Sequence, residues 1–351
     1  MQARLLLCVP MAVLASSLAF AYPRAPVGTE DIPKLMADSA LVCKGDVVEA
    51  PEVTVSSDPR PPHRTATAVV HVDRCFKGPP GSQVVLVLFD NILPPGGGPY
   101  VVLRKGDYRL FFLKPEGTKY ALADDWFGQL SISRQLGAEP PVDADPMTRL
   151  ELDLKAGLSD RDRDRVLDSI RMLGNMRHLQ SKAELISLLG SPDALVQTYV
   201  FEAMLRLHDY SVLPAVEQWL AAQSQLPPYL IMPRDALFEM QGRLAGQISM
   251  IRDPATLPIL LRLLRLPKTF VRQGALQAVR AINSPKSAPS LLEMLDGPSA
   301  DNAFAAMQGL IELAGGGVIS WVPTLPEFRE NPSYYAARCR EWWQTERQQL
   351  P

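Results

Sequence analysis

The spacing of apolar residues changes character once along the chain. Between Ala40 and about Leu136 apolar residues come in short runs. Arg64-Thr-Ala-Thr-Ala-Val-Val-His-Val-Asp73 alternates β-branched with smaller residues, as a half-buried strand does. Ala40–Glu49, Ser82–Phe89, Tyr108–Leu113 and Lys119–Leu122 read as further strands. Turn residues separate them: Pro59–Pro62, Lys77–Gly81, Pro94–Pro99, Lys105–Asp107 and Pro115–Gly117. Short strands at this density predict a small barrel or sandwich over residues 22–137. After a Pro-rich link at 138–145, apolar residues recur at helical spacing.

The helical half repeats itself. Asp253-Pro-Ala-Thr-Leu-Pro-Ile-Leu-Leu-Arg-Leu-Leu264 aligns with Ser284-Pro-Lys-Ser-Ala-Pro-Ser-Leu-Leu-Glu-Met-Leu295 at an offset of 31 residues. The same offset carries Ala275, Leu276, Val279 and Ile282 onto Ala306, Met307, Leu310 and Leu313. Asp209–Leu220 fits the template too, with Leu213-Pro214 on Leu257-Pro258. Each unit predicts a helix opened by proline, a polar link, and a second amphipathic helix that starts near Ser or Thr and ends near Asn283 or Gly315. One hairpin cannot bury its own apolar surface, so stacking is required. The expected organisation is therefore β then α: a small barrel or sandwich, a helical solenoid over 146–315, and a capping region over 316–351. A less regular unit between Val212 and Asp253 carries the insert Gln225–Pro233. Leu260, Leu264, Leu276 and Val279 are expected in the core. Arg272, Gln273, Gln277 and Arg280 flank the apolar stripe of one second helix. They are the expected partner contacts, with both arginines on exposed surface.

The first residues alter where this protein is expected to act. Arg4, the apolar run Leu5–Leu18 and Ala19-Phe20-Ala21 form the three parts of a signal peptide, giving a leader over 1–21 and export to the periplasm or beyond. An uncleaved anchor is the alternative. Cys8 sits too early, and without the small residues that precede a lipidated cysteine. With 36 Lys and Arg against 38 Asp and Glu, the chain lacks the basic excess of a nucleic-acid surface. In an exported chain Cys43 and Cys75 can bridge, because they face each other across a hairpin turning near Pro59; a pair of buried thiols is the other reading.

Two family resemblances follow from these residues. Val42-Cys-Lys-Gly45 with Val47, Val72-Asp-Arg-Cys-Phe-Lys-Gly78 and Gly106-Asp-Tyr-Arg-Leu-Phe-Phe-Leu113 resemble the netrin-like OB-fold family that includes the tissue inhibitors of metalloproteinases. Those inhibitors chelate zinc through an N-terminal cysteine, whereas cleavage after Ala21 would leave Tyr22-Pro23 here. The resemblance therefore implies a fold and an adhesive role, and not the inhibitory mechanism. The repeats from Ser159 to Gly315 resemble HEAT-like repeats of the bacterial lyase-associated type, which implies a scaffold. Phe328–Trp343 resembles the ending of many bacterial HEAT-type proteins and is expected to cap the stack, with Tyr335, Cys339 and Trp342 on one face. A partner site around Trp342 and Trp343 is the alternative use of that helix.

No catalytic, cofactor-binding or metal-binding residues emerge. His63, His71, His178 and His208 lack zinc-ligand spacing. Asp160-Arg-Asp-Arg-Asp-Arg165 reads as an ion-paired helix start, and Asp124-Asp125-Trp126 as a surface turn. The expected function is a non-catalytic, exported scaffold that binds a protein partner, with no integral membrane segment after cleavage. The alternative is a protease inhibitor or enzyme-accessory protein acting through the netrin-like domain.

Overall fold

The computed structural model describes residues 30–55, 63–79, 81–91, 103–177, 181–225, 234–266, 269–315 and 319–346. The leader at 1–21, His178, the Pro94–Pro99 turn and most of the Gln225–Pro233 insert lie outside them. The chain divides into two compact units. One holds Lys34–Leu130 with the stretch up to Glu30, and the other holds Ser131–Pro351 with Asp31–Pro33.

Helix α1 (Ile32–Asp38) leads into strands β1 (Leu41–Val55), β2 (His63–Lys77), β3 (Gln83–Asn91), β4 (Tyr108–Glu116), β5 (Lys119–Leu122) and β6 (Gln129–Ser131), which but for Ile32, Pro33 and Ser131 lie in the first unit. The strand order is β1-β2-β3-β5-β4-β6, and β1 also pairs with β4, which closes β1 to β5 into a barrel. The five pairings within that closed ring are antiparallel except β3 with β5. Closure removes the exposed edges that an open sheet of this size would present.

β1 and β2 run longer than the expected Ala40–Glu49 and Arg64–Asp73. Bulges make this extension tolerable: the β1–β2 register shifts four times, and the shift between Glu49 and Glu52 contains Pro51. At another shift, a Cβ on Gly45 would lie 2.0 Å from the His71 carbonyl oxygen. Only glycine permits that approach. Leu41, Cys43, Val70, Leu86, Phe111 and Leu113 fill the barrel interior. The Lys77 ammonium donates to the Met36 and Ala37 carbonyls at 2.7 and 3.2 Å, satisfying the free end of α1.

The second unit is an array of helical pairs: α2 (Pro146–Gly157) with α3 (Arg163–Asn175), α4 (Lys182–Ser187) with α5 (Ala194–Arg206), α6 (Leu213–Gln225) with α7 (Arg234–Ser249), α8 (Leu257–Leu263) with α9 (Thr269–Ile282), α10 (Ala288–Met294) with α11 (Ala300–Leu313), and α12 (Leu325–Glu330) with α13 (Pro332–Glu346). A short 3-10 turn precedes α6, α8 and α10. Asp209 and Asp253 cap two of these turns by accepting from the Ser211 and Ala255 amides at 3.0 and 2.9 Å. The second helices α3, α5, α9 and α11 are each followed by a residue of positive φ: Arg177, His208, Asn283 and Gly315. One backbone solution thus recurs at repeat spacing while its residue type varies. It also gives His208 a structural place.

The expected linker at 138–145 is not a free tether. Gly137 N donates to Asp153 at 2.8 Å, Asp145 caps α2 through the Met147 and Thr148 amides, and Arg149 holds the Val142 and Ala144 carbonyls. Further upstream, Ser133 hydrogen-bonds Asp160, and Arg165 donates to the Ser131 hydroxyl at 2.8 Å. These ties sew the segment onto the first helices. The division between units accordingly falls at Leu130/Ser131, earlier than the Pro-rich stretch.

Candidate functional site

The second helices form a continuous ladder, with α3 on α5, α5 on α7, α7 on α9, α9 on α11 and α11 on α13. Small residues set its tight spacing. A Cβ on Gly174 would lie 2.7 Å from Ala203, and one on Gly274 would lie 2.3 Å from the Ala245 carbonyl oxygen. Leu260, Leu264, Leu276 and Val279 are buried beneath the ladder, as the repeat offset predicts.

A polar network crosses the first three rungs. Glu202 on α5 is 4% exposed. One of its oxygens accepts from Arg206 at 2.5 Å and the other from Arg243 on α7 at 2.6 and 2.8 Å. Arg206 reaches back to Asn175 on α3 at 2.5 Å, and Arg171 on α3 pairs with Asp168 at 3.1 Å. The Arg243 guanidinium lies over the Tyr199 ring, 4.5 Å from its centre, and donates to its hydroxyl at 3.1 Å. Burial pulls Arg171 and Arg206 below the usual arginine range, and repulsion from Arg243 adds to this. For Arg243 the same burial is outweighed by Glu202 and Tyr199, which raise it.

The expected contact residues sit further along, on α9. Gln277 is exposed, while Arg272, Gln273 and Arg280 are half-buried. The two arginines are not the free surface groups expected of them. Arg272 donates twice to the Leu266 carbonyl, at 3.1 and 2.6 Å, closing the end of the helix before it. Arg280 forms a two-pronged pair with Glu312 on α11 at 3.0 and 2.5 Å. Both hold helices together because the long arginine stem reaches the neighbouring element. Arg272 also lines a cavity of about 290 Å³ with Leu261, Leu264, Arg265, Ser290, Glu293, Met294 and Gly297.

On α13 the buried face is Ala336, Cys339 and Trp343, one residue round from the expected Tyr335–Cys339–Trp342 stripe. Trp343 is 4% exposed and belongs to the core. Trp342 is half-buried, its ring 6.0 Å from Trp321, and Arg338 covers Trp321 at 5.6 Å. Tyr335 turns aside to stack on Phe328 at 6.0 Å, which explains the rotation of the seam.

The remaining sequence candidates fall apart in space or have local roles. His71 is exposed beside Asp73, and the Asp124 carboxylate closes its own turn through the Trp126 and Phe127 amides at 2.8 Å. Among the described residues no group of His, Cys, Asp and Glu could hold a metal ion. Cys43 and Cys75 are opposed in the β1–β2 register, and both are thiols in this structure. Sequence reading missed Tyr199, Glu202, Arg206 and Arg243. A signal existed for part of this network: Arg171 to Glu202 and Asn175 to Arg206 each span the 31-residue repeat offset.

Comparison with known proteins bears on the array. A family model described as HEAT repeats matches residues 231–311. No curated protein matches the sequence. Solved structures match as well, among them the complex of CpcE and CpcF of phycocyanin lyase from Nostoc sp. PCC7120. That match has 21% identity and a TM-score of 0.28, and covers 48% of this chain and 65% of that chain. Among the described residues no helix is long and apolar enough to cross a membrane. The second unit is a helical repeat array, of which residues 231–311 match the HEAT-repeat model, and it follows a five-stranded β-barrel in the chain.

Proposed function

We propose that this protein is an exported, non-catalytic scaffold that grips a protein partner on the ladder of second helices. The continuity of that ladder carries the reading. Its rungs are locked from beneath by Leu276 and Val279 and laterally by Glu202 with Arg243 and Arg280 with Glu312. Rigid backbone then presents a row of side chains such as Tyr199 and Gln277. A site on packed helices is held more firmly than one on loops. The cleaved leader, the netrin-like kinship of the barrel and its adhesive role belong to the same proposal. Support for them is the three-part leader pattern at 1–21 and the closed β1-β2-β3-β5-β4 strand order.

Site-specific photocross-linking in the source cells tests the contact. A photoreactive residue at Gln277, exposed on α9, is expected to give one discrete adduct. The same residue at Gln218, exposed on the first helix α6, is expected to give none. Adducts at Gln218 alone, or only from barrel positions, would move the contact off the ladder. Mass spectrometry of the chain's N-terminus tests export; an intact Met1 on a protein confined to the cytoplasm would refute it.

A further inference from the structure

The barrel holds a pair of cysteines whose placement goes beyond the scaffold reading. Cys43 on β1 and Cys75 on β2 are direct partners in the antiparallel ladder. Opposed residues in such a ladder have Cα atoms about 4.5–5.5 Å apart, within the roughly 4.4–6.8 Å that a disulfide spans. Both side chains face the same interior: Cys43 belongs to the barrel core, and Cys75 packs against that core. The two sites differ in access, since Cys43 is fully buried and Cys75 half-buried. A bulge beside Cys75, where Val42 pairs with Lys77, leaves that end of β2 locally adjustable.

We infer that Cys43 and Cys75 form a thiol–disulfide couple that closes by exchange, with Cys75 as the entry sulfur and Cys43 as the resolving one. Oxidised glutathione serves as the model oxidant. The Cys75 thiolate attacks one glutathione sulfur, the glutathione S–S bond breaks, and the departing thiolate takes a proton from solvent. The Cys43 thiol then releases its proton to solvent, and its sulfur attacks the Cys75 sulfur. The mixed disulfide breaks and a second glutathione leaves as its thiol. Two electrons pass from the cysteine pair to one glutathione disulfide, and one protein S–S bond forms. The order follows from burial, which together with the neighbouring Cys75 pushes the Cys43 thiol up to about 12 and makes it a poor first nucleophile. The closed bond would staple β1 to β2 in the ladder.

Incubating the full-length chain with oxidised glutathione, blocking residual thiols after denaturation and mapping the peptides tests this directly. The expected result is a cross-linked peptide pair joining Cys43 to Cys75, with Cys339 on α13 still alkylated. The barrel's melting temperature should rise by several degrees, fall back with dithiothreitol, and stay unmoved by oxidant in Cys75→Ser. Cys43→Ser should stop the reaction at a glutathione adduct on Cys75. The inference is overturned if Cys43 and Cys75 are both alkylated after oxidation, or if the wild-type chain retains a stable Cys75 adduct. None of these readouts involves a partner, so this idea and the scaffold reading can fail separately.

Discussion

In the barrel, the pairing that closes the sheet joins residues far apart along the chain: Leu41 pairs with Leu113. In the array, residues that touch are about one repeat apart: Asn175 meets Arg206, and Arg280 meets Glu312. The barrel closes only when its last pairing, β1 with β4, is made, so its stability is shared by every strand. The array is a sum of neighbour interfaces and tolerates change one rung at a time. The difference teaches where variation is affordable. A repeat surface can diverge between rungs while the seam beneath it stays fixed, which suits it to partner recognition.

The largest expected effect follows from that contrast. Phe111→Ala empties a fully buried site in the barrel and should destabilise it by about 3–5 kcal/mol, with loss of protection from hydrogen exchange in all the barrel strands. Leu264→Ala in the array should cost about 2–5 kcal/mol, yet raise exchange chiefly in α8, α9 and their neighbours. Equal spread of the damage in both would break the comparison.

Glu202→Gln comes next. It leaves Arg206 and Arg243 without their shared carboxylate, and their side chains keep only 12% and 28% exposure. Breaking a buried pair typically costs about 3–5 kcal/mol, and partial exposure here lowers the expectation to about 2 kcal/mol. Thermal unfolding of the array reads this loss.

Acid should act on the array with a defined sign. Burial favours the protonated form of Asp209, but hydrogen bonds from Lys182 and Ser211 and the Lys182 charge outweigh it and hold the carboxyl below its ordinary range. Glu184 beside Lys155 and Asp160 beside Ser133 are depressed in the same sense against burial. A depressed folded-state pKa contributes stability that is present above the unfolded value and lost as pH falls through the folded one. The melting temperature of the array should therefore fall as pH drops through and below the ordinary carboxylate range. A rise on acidification would contradict these pairings.

A smaller effect separates the structure from the sequence expectation. Arg280→Ala was expected to be silent on an exposed site. The arginine pairs with Glu312 and its stem lies against Gly309, so a loss of up to about 1 kcal/mol is expected on thermal unfolding.

The fold was legible where periodicity carries it. The 31-residue offset located Leu260, Leu264, Leu276 and Val279 in the core because stacking repeats the same burial at the same position. Opposition of Cys43 and Cys75 was legible because a hairpin turn fixes which residues face each other. The bulges at Gly45 and Pro51 were not read, although a glycine or proline inside a strand run is the local mark of one. The site was harder to read. Flanking position on α9 marked Arg272 and Arg280, but arginine reaches far, and both turn inward onto Leu266 and Glu312. The Trp342/Trp343 choice turned on a rotation of one residue, set by the stacking of Tyr335 on Phe328.

The central claim is that the ladder of second helices binds the partner while the seam beneath it holds the fold. Once cross-linking from Gln277 has identified that partner, calorimetric titration of the wild-type chain against Gln277→Arg tests the claim most directly. Stability should change by no more than about 0.5 kcal/mol, because the side chain is exposed. Affinity should fall at least about tenfold, equivalent to about 1.4 kcal/mol. Unchanged affinity in a chain that melts like the wild type would contradict the account.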